Sequence, residues 1–329
     1  MPNRNASRLL LSALLLPTVW AQAATTQLEF GLFVISVSDS WTAQVFHMVD
    51  QLSQWNEYSH KAYGRWAKAN LSLDDEDRRL LQKHAEMRRA GRSGKGFEQA
   101  FLVDDPIEAA ATRAVDQKLL SADEAASEQI ILLHFAPKLA ALRDQHQQQI
   151  EAFKEQLVAE RQRLAPWFAK LVSFTQTKTV VKAPVFLVAN SEESSGGGEA
   201  NGDRIVIEVP APDPMGTLLH ESLHVLLHPR VNEIKAAADS SAIRFQNLNE
   251  GIVYAMAPGL TDNPAESDRL SAQLARYLER GTPASDNYVQ SYMIASVIRP
   301  VLRASIDAGE TFPQFLPKAV AKWRAFITR

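Results

Sequence analysis

The stretch GTLLHESLHVLLHP, residues 216–229, is the part of this 329-residue sequence that says most about its fold and chemistry. It contains three histidines spaced four residues apart, one glutamate, and leucines at most of the remaining positions. Asp213 can cap a helix, Pro214 suits the first helical position, and Pro229 ends the run. The stretch therefore predicts one helix with a leucine-rich buried side.

His220-Glu221-Ser222-Leu223-His224 matches the pattern H-E-x-x-H. Residues four apart on a helix share a face, so His220 and His224 can both reach one zinc ion at about 2.0–2.1 Å. Glu221 falls beside the metal, outside its ligand set, where its carboxylate can take a proton from a zinc-bound water. The alternative is an ordinary core helix, but burying two histidines and a glutamate without partners is costly. The pattern therefore predicts a zinc site.

A third histidine, His228, lies eight residues after His220 and faces nearly the same side of the predicted helix. We interpret it as a helix-end histidine favoured by the helix dipole, one turn below the pair. The zinc site therefore needs a ligand from another part of the chain.

The first 23 residues have the features of a secretory signal peptide. Arg4 and Arg8 precede an apolar run at residues 9–20, and Ala21-Gln22-Ala23 provides a small-x-small cleavage site. The apolar run is shorter than the roughly 20 residues that a membrane-spanning helix needs. We expect cleavage after Ala23 and a secreted or periplasmic protein with no membrane span in the mature chain.

The composition is that of a globular protein, with 46% hydrophobic and 22% charged residues. Because the chain has no cysteine, its stability in an oxidising compartment depends on its core and not on disulfides. The formal net charge is −3, so the basic excess of a nucleic-acid-binding protein is missing. We expect no nucleic-acid partner.

Hydrophobic periodicity predicts an α+β, mostly helical protein. Residues 28–39 are typical of one strand or a short pair of strands, and helical patterns dominate from about 41 to 172. Within them, a long amphipathic helix is expected from about 124 to 165. Residues 24–177 are thus predicted to form a mainly helical N-terminal region.

Residues 178–329 are predicted to form a second domain. Two β-branched runs, TVVKAPVFLVAN and DRIVIEVPAP, flank the acidic Gly/Ser-rich segment SEESSGGGEANG, which indicates a hairpin with a flexible loop. The strand RIVIEVP, residues 204–210, is expected to be an edge strand along which an extended peptide can lie. The hairpin comes directly before the histidine helix.

The motif HESLH followed by LNEG resembles the gluzincins, the superfamily of thermolysin-like and aminopeptidase-like zinc peptidases. The resemblance covers about residues 180–305. It implies a zincin-like catalytic domain with a small sheet before the H-E-x-x-H helix.

In gluzincins a second helix presents a glutamate ligand, and Asn249-Glu250-Gly251 matches that pattern. The resemblance therefore implies that Glu250 completes a zinc site with His220 and His224. The 25 residues between His224 and Glu250 exceed the usual gap, which implies an insertion or an extra helix. Glu233 is the rival ligand.

The aminopeptidase-like branch also uses a tyrosine on a later helix to stabilise the oxyanion. Tyr288-Val289-Gln290-Ser291 fits that pattern, which makes Tyr288 the candidate. Tyr292, one turn further on, is the alternative, and packing is the other interpretation of both side chains.

These features together predict a zinc metallopeptidase with one Zn²⁺ per chain. No G-x-M-E-N-like motif for a free amino terminus is found upstream, which favours an endopeptidase. The expected substrate is a peptide or protein, with cell-wall peptide as a further possibility. The alternative hypothesis is a zinc-containing module for cell-envelope binding or assembly without turnover.

Overall fold

In this computed structural model the described residues are 25–56, 59, 61–90, 95–191, 197–257, 272, 274–276, 279–281 and 286–328. The predicted signal peptide, residues 1–23, lies outside them. Among the described residues, no helix combines the length and apolar character needed to cross a membrane.

The chain begins with two antiparallel strands, β1 (Thr26–Phe30) and β2 (Phe33–Ser38). They are joined by a tight turn in which Gly31 has φ of 67°, a backbone conformation that favours glycine. The interpretation of residues 28–39 as a short pair of strands is confirmed.

Six helices follow the first two strands, as the sequence predicts for the N-terminal region. They are α1 (Trp41–Ser53), α2 (Lys61–Asn70), α3 (Asp75–Ala90), α4 (Lys95–Phe101), α5 (Ile107–Asp116) and α6 (Ala122–Phe174). The long helix α6 is confirmed and extends past both predicted ends. Ser121 and Glu124 form a capping box at its start, which satisfies two otherwise unpaired backbone donors.

Three further strands complete a mixed five-stranded sheet in the order β1-β2-β3-β5-β4. They are β3 (Val181–Ala189), β4 (Gly198–Asn201) and β5 (Arg204–Val209). The pairs β2–β3 and β3–β5 are parallel, whereas β4–β5 is antiparallel. The α+β class with mostly helical content is therefore confirmed.

The predicted hairpin between the two β-branched runs is wrong. Those runs are β3 and β5, which pair in parallel, and the hairpin is formed by β4 and β5 around Gly202, whose φ is 70°. The physical reason is burial: β5 is covered on both faces, which is typical of a central parallel strand.

The expectation that residues 204–210 form the edge strand is wrong for the same reason. The edge strand beside β5 is β4, which belongs to the segment predicted as a flexible loop, and β1 forms the opposite edge of the sheet. A four-residue polar and glycine-containing strand is a common way to end a sheet, because short edges limit unwanted pairing.

Strand pairing crosses the expected domain boundary between residues 177 and 178, because β2 lies directly beside β3. Long-range side-chain contacts reinforce this link. The Gln44 side chain of α1 accepts a hydrogen bond from the Ala189 backbone N–H and donates one to its carbonyl, and Phe168 of α6 stacks 4.4 Å from Phe30. The apolar core extends through both parts of the chain.

The helices after the sheet whose bounds the structure describes are α7 (Pro214–Leu227), α8 (Val231–Ser240), α9 (Phe245–Met256), α10 (Asn287–Asp307) and α11 (Phe312–Ile327). A 3₁₀ turn, His228–Arg230, connects α7 to α8. The extra helix expected between His224 and Glu250 is therefore present as α8.

Gly251 allows α9 to approach α10 closely. A Cβ added to Gly251 would lie 2.6 Å from Cγ2 and 2.8 Å from Cβ of Ile294, and 3.2 Å from the Ser291 carbonyl oxygen. These distances leave no room for a methyl group, since Ile294 is branched and fully buried. Gly251 thus sets the spacing of the helix that carries Glu250.

We predict that Gly251→Ala lowers the free energy of unfolding by about 1–3 kcal/mol through overpacking. The control is Gly64→Ala in α2, where an added Cβ meets nothing within 4 Å, and this change should be neutral or stabilising by up to about 1 kcal/mol. Urea unfolding measures the free energy of unfolding of both variants and of the wild type. Equal effects of the two substitutions would contradict the packing role of Gly251.

A buried charged cluster stabilises the N-terminal helices. His84 lies between two carboxylates, with Nε2 3.0 Å from Asp50 Oδ1 and Nδ1 2.9 Å from Glu128 Oε2. Burial opposes the charge on His84, but the two carboxylates dominate and raise its pKa to about 9. The folded protein therefore holds His84 as an imidazolium at neutral pH.

The raised pKa of His84 predicts a pH-dependent stability. A group with a folded pKa above its unfolded value of about 6.5 contributes fully below that pH and loses its contribution as pH rises toward about 9. The difference in free energy of unfolding between wild type and His84→Gln should therefore shrink by about 3 kcal/mol over this window. A difference that stays constant in urea titrations between pH 6 and 9.5 would contradict this assignment.

Candidate metal centre

The helix α7 forms where the sequence predicts it. The Asp213 side chain accepts a hydrogen bond from Gly216 N–H at 2.9 Å, and Pro214 occupies the first turn. The leucines of α7 are buried, whereas His220 and His224 are only partly covered. Packing of the leucine face against the sheet therefore turns both imidazoles toward α9.

His220, His224 and Glu250 meet between α7 and α9. His220 Nε2 lies 3.2 Å from His224 Nε2 and 3.2 Å from Glu250 Oε2, and His224 Nε2 lies 3.3 Å from Glu250 Oε1. Within the part of the chain that the structure describes, this is the group of His, Asp and Glu side chains able to hold a metal ion.

The donor spacing fits a small tetrahedral ion. Zinc–ligand bonds of about 2.0–2.1 Å in tetrahedral geometry separate neighbouring donors by about 3.3 Å. The Nε2–Nε2 separation of 3.2 Å between the two histidines agrees with that value, and each Nε2 has one Glu250 oxygen, Oε2 for His220 and Oε1 for His224, at 3.2–3.3 Å. Two imidazoles and one carboxylate are also a donor set that suits zinc and related transition metals better than magnesium or calcium.

The charges in the centre are strongly coupled. Burial alone would raise the pKa of Glu250, but hydrogen bonds from His220 and His224 and their positive charge hold that pKa well below its usual range. Burial opposes the charge on His224, yet Glu250 raises the pKa of this histidine. The charged form of the buried Glu250 carboxylate is therefore favoured, and a divalent ion can balance that charge.

Asn249 orients one of the two imidazoles. Its side-chain amide lies 3.1 Å from Nδ1 of His224, measured from Nδ2. An imidazole that binds metal through Nε2 carries its proton on Nδ1, and the Asn249 amide oxygen becomes the acceptor when the amide turns over. Asn249 is thus placed to fix the ring orientation of His224.

Two tyrosines form an aromatic wall beside the centre. The Tyr254 ring lies 4.6 Å from the His220 ring, and Tyr292 stacks on Tyr254 at 4.4 Å. Burial and the neighbouring Tyr292 and Glu250 raise the pKa of Tyr254 well above its usual value. The Tyr254 phenol therefore remains neutral and can act as a hydrogen-bond donor.

Glu221 lies beside the centre and is 8% exposed. Its carboxylate faces the backbone N–H of Ala200 in β4. Burial raises the pKa of Glu221; the two histidines and the Ala200 N–H partly offset this rise. A buried carboxylate with an elevated pKa next to a metal-binding group is typical of a proton acceptor.

The alternative ligands lie elsewhere. His228 is exposed at the end of α7, in the position expected of a helix-end histidine. Glu233 accepts a hydrogen bond from the Arg230 guanidinium at 2.7 Å. Neither side chain belongs to the metal-holding group.

The two candidate tyrosines of α10 differ in exposure. Tyr288 lies in the first turn of the helix and is 54% exposed, whereas Tyr292 is 8% exposed and stacks against Tyr254. The assignment of Tyr288 as oxyanion stabiliser stays a prediction.

Sequence reasoning did not identify Tyr254 or the role of Ala200. The position of Tyr254 carries a usable signal, because a residue four after Glu250 shares its helix face. For Ala200 the sequence offers no such signal, because its contact with Glu221 depends on where the edge strand lies.

No family model matches this chain, and neither a curated protein nor a solved structure shows significant similarity to it.

Proposed function

We propose that this protein is a zinc-dependent peptidase of gluzincin type, with His220, His224 and Glu250 as the metal ligands. One observation carries the proposal. A three-donor centre, in which the two imidazole nitrogens have the spacing of tetrahedral ligands, lies next to a buried carboxylate, Glu221, that is not part of the donor set. A purely structural metal site has no need of that second carboxylate.

In such a site zinc supplies Lewis acidity, which lowers the pKa of water and polarises a carbonyl group. Glu221 would accept a proton from the attacking water and return it to the amine as the peptide C–N bond breaks. Asn249 would hold the His224 ring, and the aromatic wall would restrict the His220 ring. Buried leucines of α7 would limit access of bulk water.

The proposed substrate is an extended peptide that is cleaved at an internal peptide bond. The free edge of β4 lies beside Glu221, and an extended chain can pair with such an edge. On the basis of the predicted signal peptide, the proposed location is periplasmic or secreted. Both proteins and cell-wall peptides are available there as substrates. Tyr288 or Tyr292 would assist the oxyanion.

The first prediction concerns the metal. Residues 24–329, purified without added metal and then dialysed against zinc, should hold about one zinc per chain by elemental analysis. Glu250→Ala should weaken zinc binding at least about 100-fold in a chelator competition, because one of three protein ligands is lost. Glu233→Ala is the matched control and should bind zinc as the wild type does. If Glu233→Ala weakened zinc binding and Glu250→Ala did not, the third ligand would be Glu233 of α8 instead.

The second prediction concerns the proton acceptor. Glu221→Gln should retain zinc and the fold but lose peptide hydrolysis by a factor of about 10²–10⁴, the usual contribution of general acid–base catalysis. The assay uses a quenched-fluorescent random peptide library and cell-wall stem peptides, with Glu233→Gln as the matched control. Undiminished hydrolysis by Glu221→Gln would exclude Glu221 as the base. A zinc-loaded wild type that cleaves none of these substrates would instead favour the non-catalytic envelope module.

A further inference from the structure

Glu208 of β5 is a buried carboxylate with partners on three segments. Its Oε1 accepts a hydrogen bond from the Tyr63 hydroxyl at 2.6 Å and lies 2.9 Å from His47 Nε2. Its Oε2 accepts a hydrogen bond from Gly197 N–H at 2.8 Å, immediately before β4. Glu208 is only 1% exposed, so each of these bonds offsets the loss of hydration.

These contacts form an edge-strand clamp, defined here as His47, Tyr63, Glu208 and Gly197. His47 comes from α1 and Tyr63 from α2, so the N-terminal helices hold the beginning of β4. A second link is weaker: Nδ1 of His47 lies 3.9 Å from Oε1 of Glu199 in β4 itself. The clamp thus joins one side of β4 to the N-terminal helices α1 and α2.

The other side of β4 meets the candidate metal centre. Backbone groups along an antiparallel strand alternate between the partner strand and the free edge. Glu208 N–H donates to the Gly197 carbonyl, so Ala200, three residues on, directs its N–H away from β5. That N–H faces the side of β4 on which Glu221 lies.

Little space is left for β4 to move on its own. A Cβ at Gly198 would lie 2.7 Å from Thr217 Cγ2 of α7 and 2.7 Å from the Val206 carbonyl oxygen of β5. The strand is therefore packed between β5 and α7, and it meets α7 at Thr217, one helical turn before Glu221.

We propose that His47 and Tyr63 are positioning residues for Glu221 and act through the edge-strand clamp. Neither contacts the metal-holding group. Their hydrogen bonds to Glu208 hold Gly197, the strand β4 places the Ala200 N–H, and that N–H orients the Glu221 carboxylate. This assigns a role in the site to the N-terminal helices. The catalytic part of the inference rests on the proposed peptidase function, whereas the effect on β4 does not.

Hydrogen exchange of the zinc-loaded full mature chain, followed by mass spectrometry, tests the clamp directly. In Tyr63→Phe and His47→Ala, amides of residues 197–201 should exchange at least about tenfold faster than in the wild type. His47→Gln should restore most of the protection, because the glutamine amide can donate to Glu208 as Nε2 does. Zinc content should remain about one per chain in every variant.

The matched control is His134→Gln. His134 also pairs with a buried carboxylate, at 2.6 Å from Asp77 Oδ1, but has no contact with β4 among the described residues. It should leave exchange at residues 197–201 unchanged. For the best-cleaved library peptide, Tyr63→Phe and His47→Ala should lower kcat at least about tenfold with KM within twofold, and His134→Gln should alter neither.

Wild-type exchange rates at residues 197–201 in folded Tyr63→Phe and His47→Ala would overturn the clamp, as would an equal rise in His134→Gln. If His47→Ala does not fold, Tyr63→Phe decides the matter, since it removes one oxygen atom only. Faster exchange with unchanged kcat would overturn the positioning role. A wild type that cleaves no peptide refutes the peptidase proposal, and the exchange comparison still decides whether the clamp exists.

Discussion

Parallel backbone pairing of β2 with β3 is the interaction on which the rest of the structure depends. It joins residues 33–38 to residues 181–186, so the two ends of the helical N-terminal half meet in one sheet. Parallel strands need a long crossover, and here the crossover contains all six helices α1–α6. Because β5 then pairs with β3 and β4 with β5, the position of the edge strand also follows from this contact.

The sheet in turn places the chemistry. The helix α7 packs against β4 and β5 with its leucines buried, and His220 and His224 meet Glu250 of α9. Gly251 lets α9 pack tightly on α10, and the residue before Gly251 is the carboxylate that meets both imidazoles. The tight contact with α10 therefore helps to fix the position of α9, the helix that carries Glu250.

Buried carboxylates recur on both sides of the sheet. Glu250 is balanced by two histidines, Glu208 by hydrogen bonds from His47, Tyr63 and Gly197, and Glu128 by His84. Each needs partners from distant parts of the chain, because an unpaired buried charge is costly. Such networks favour one arrangement of the helices over others. The Glu208 network contacts one side of β4, and the candidate metal centre lies on the other side of that strand.

The sequence by itself determined what depends on neighbours along the chain. The capped helix of residues 214–227, its buried leucines and the shared face of His220 and His224 follow from local spacing, as does the long helix α6. Only the tertiary structure decided which strand is the edge, that β3 and β5 run parallel, and that Ala200 contacts Glu221. Those features depend on contacts between residues far apart in sequence, and periodicity has no information about which strands pair or in which direction.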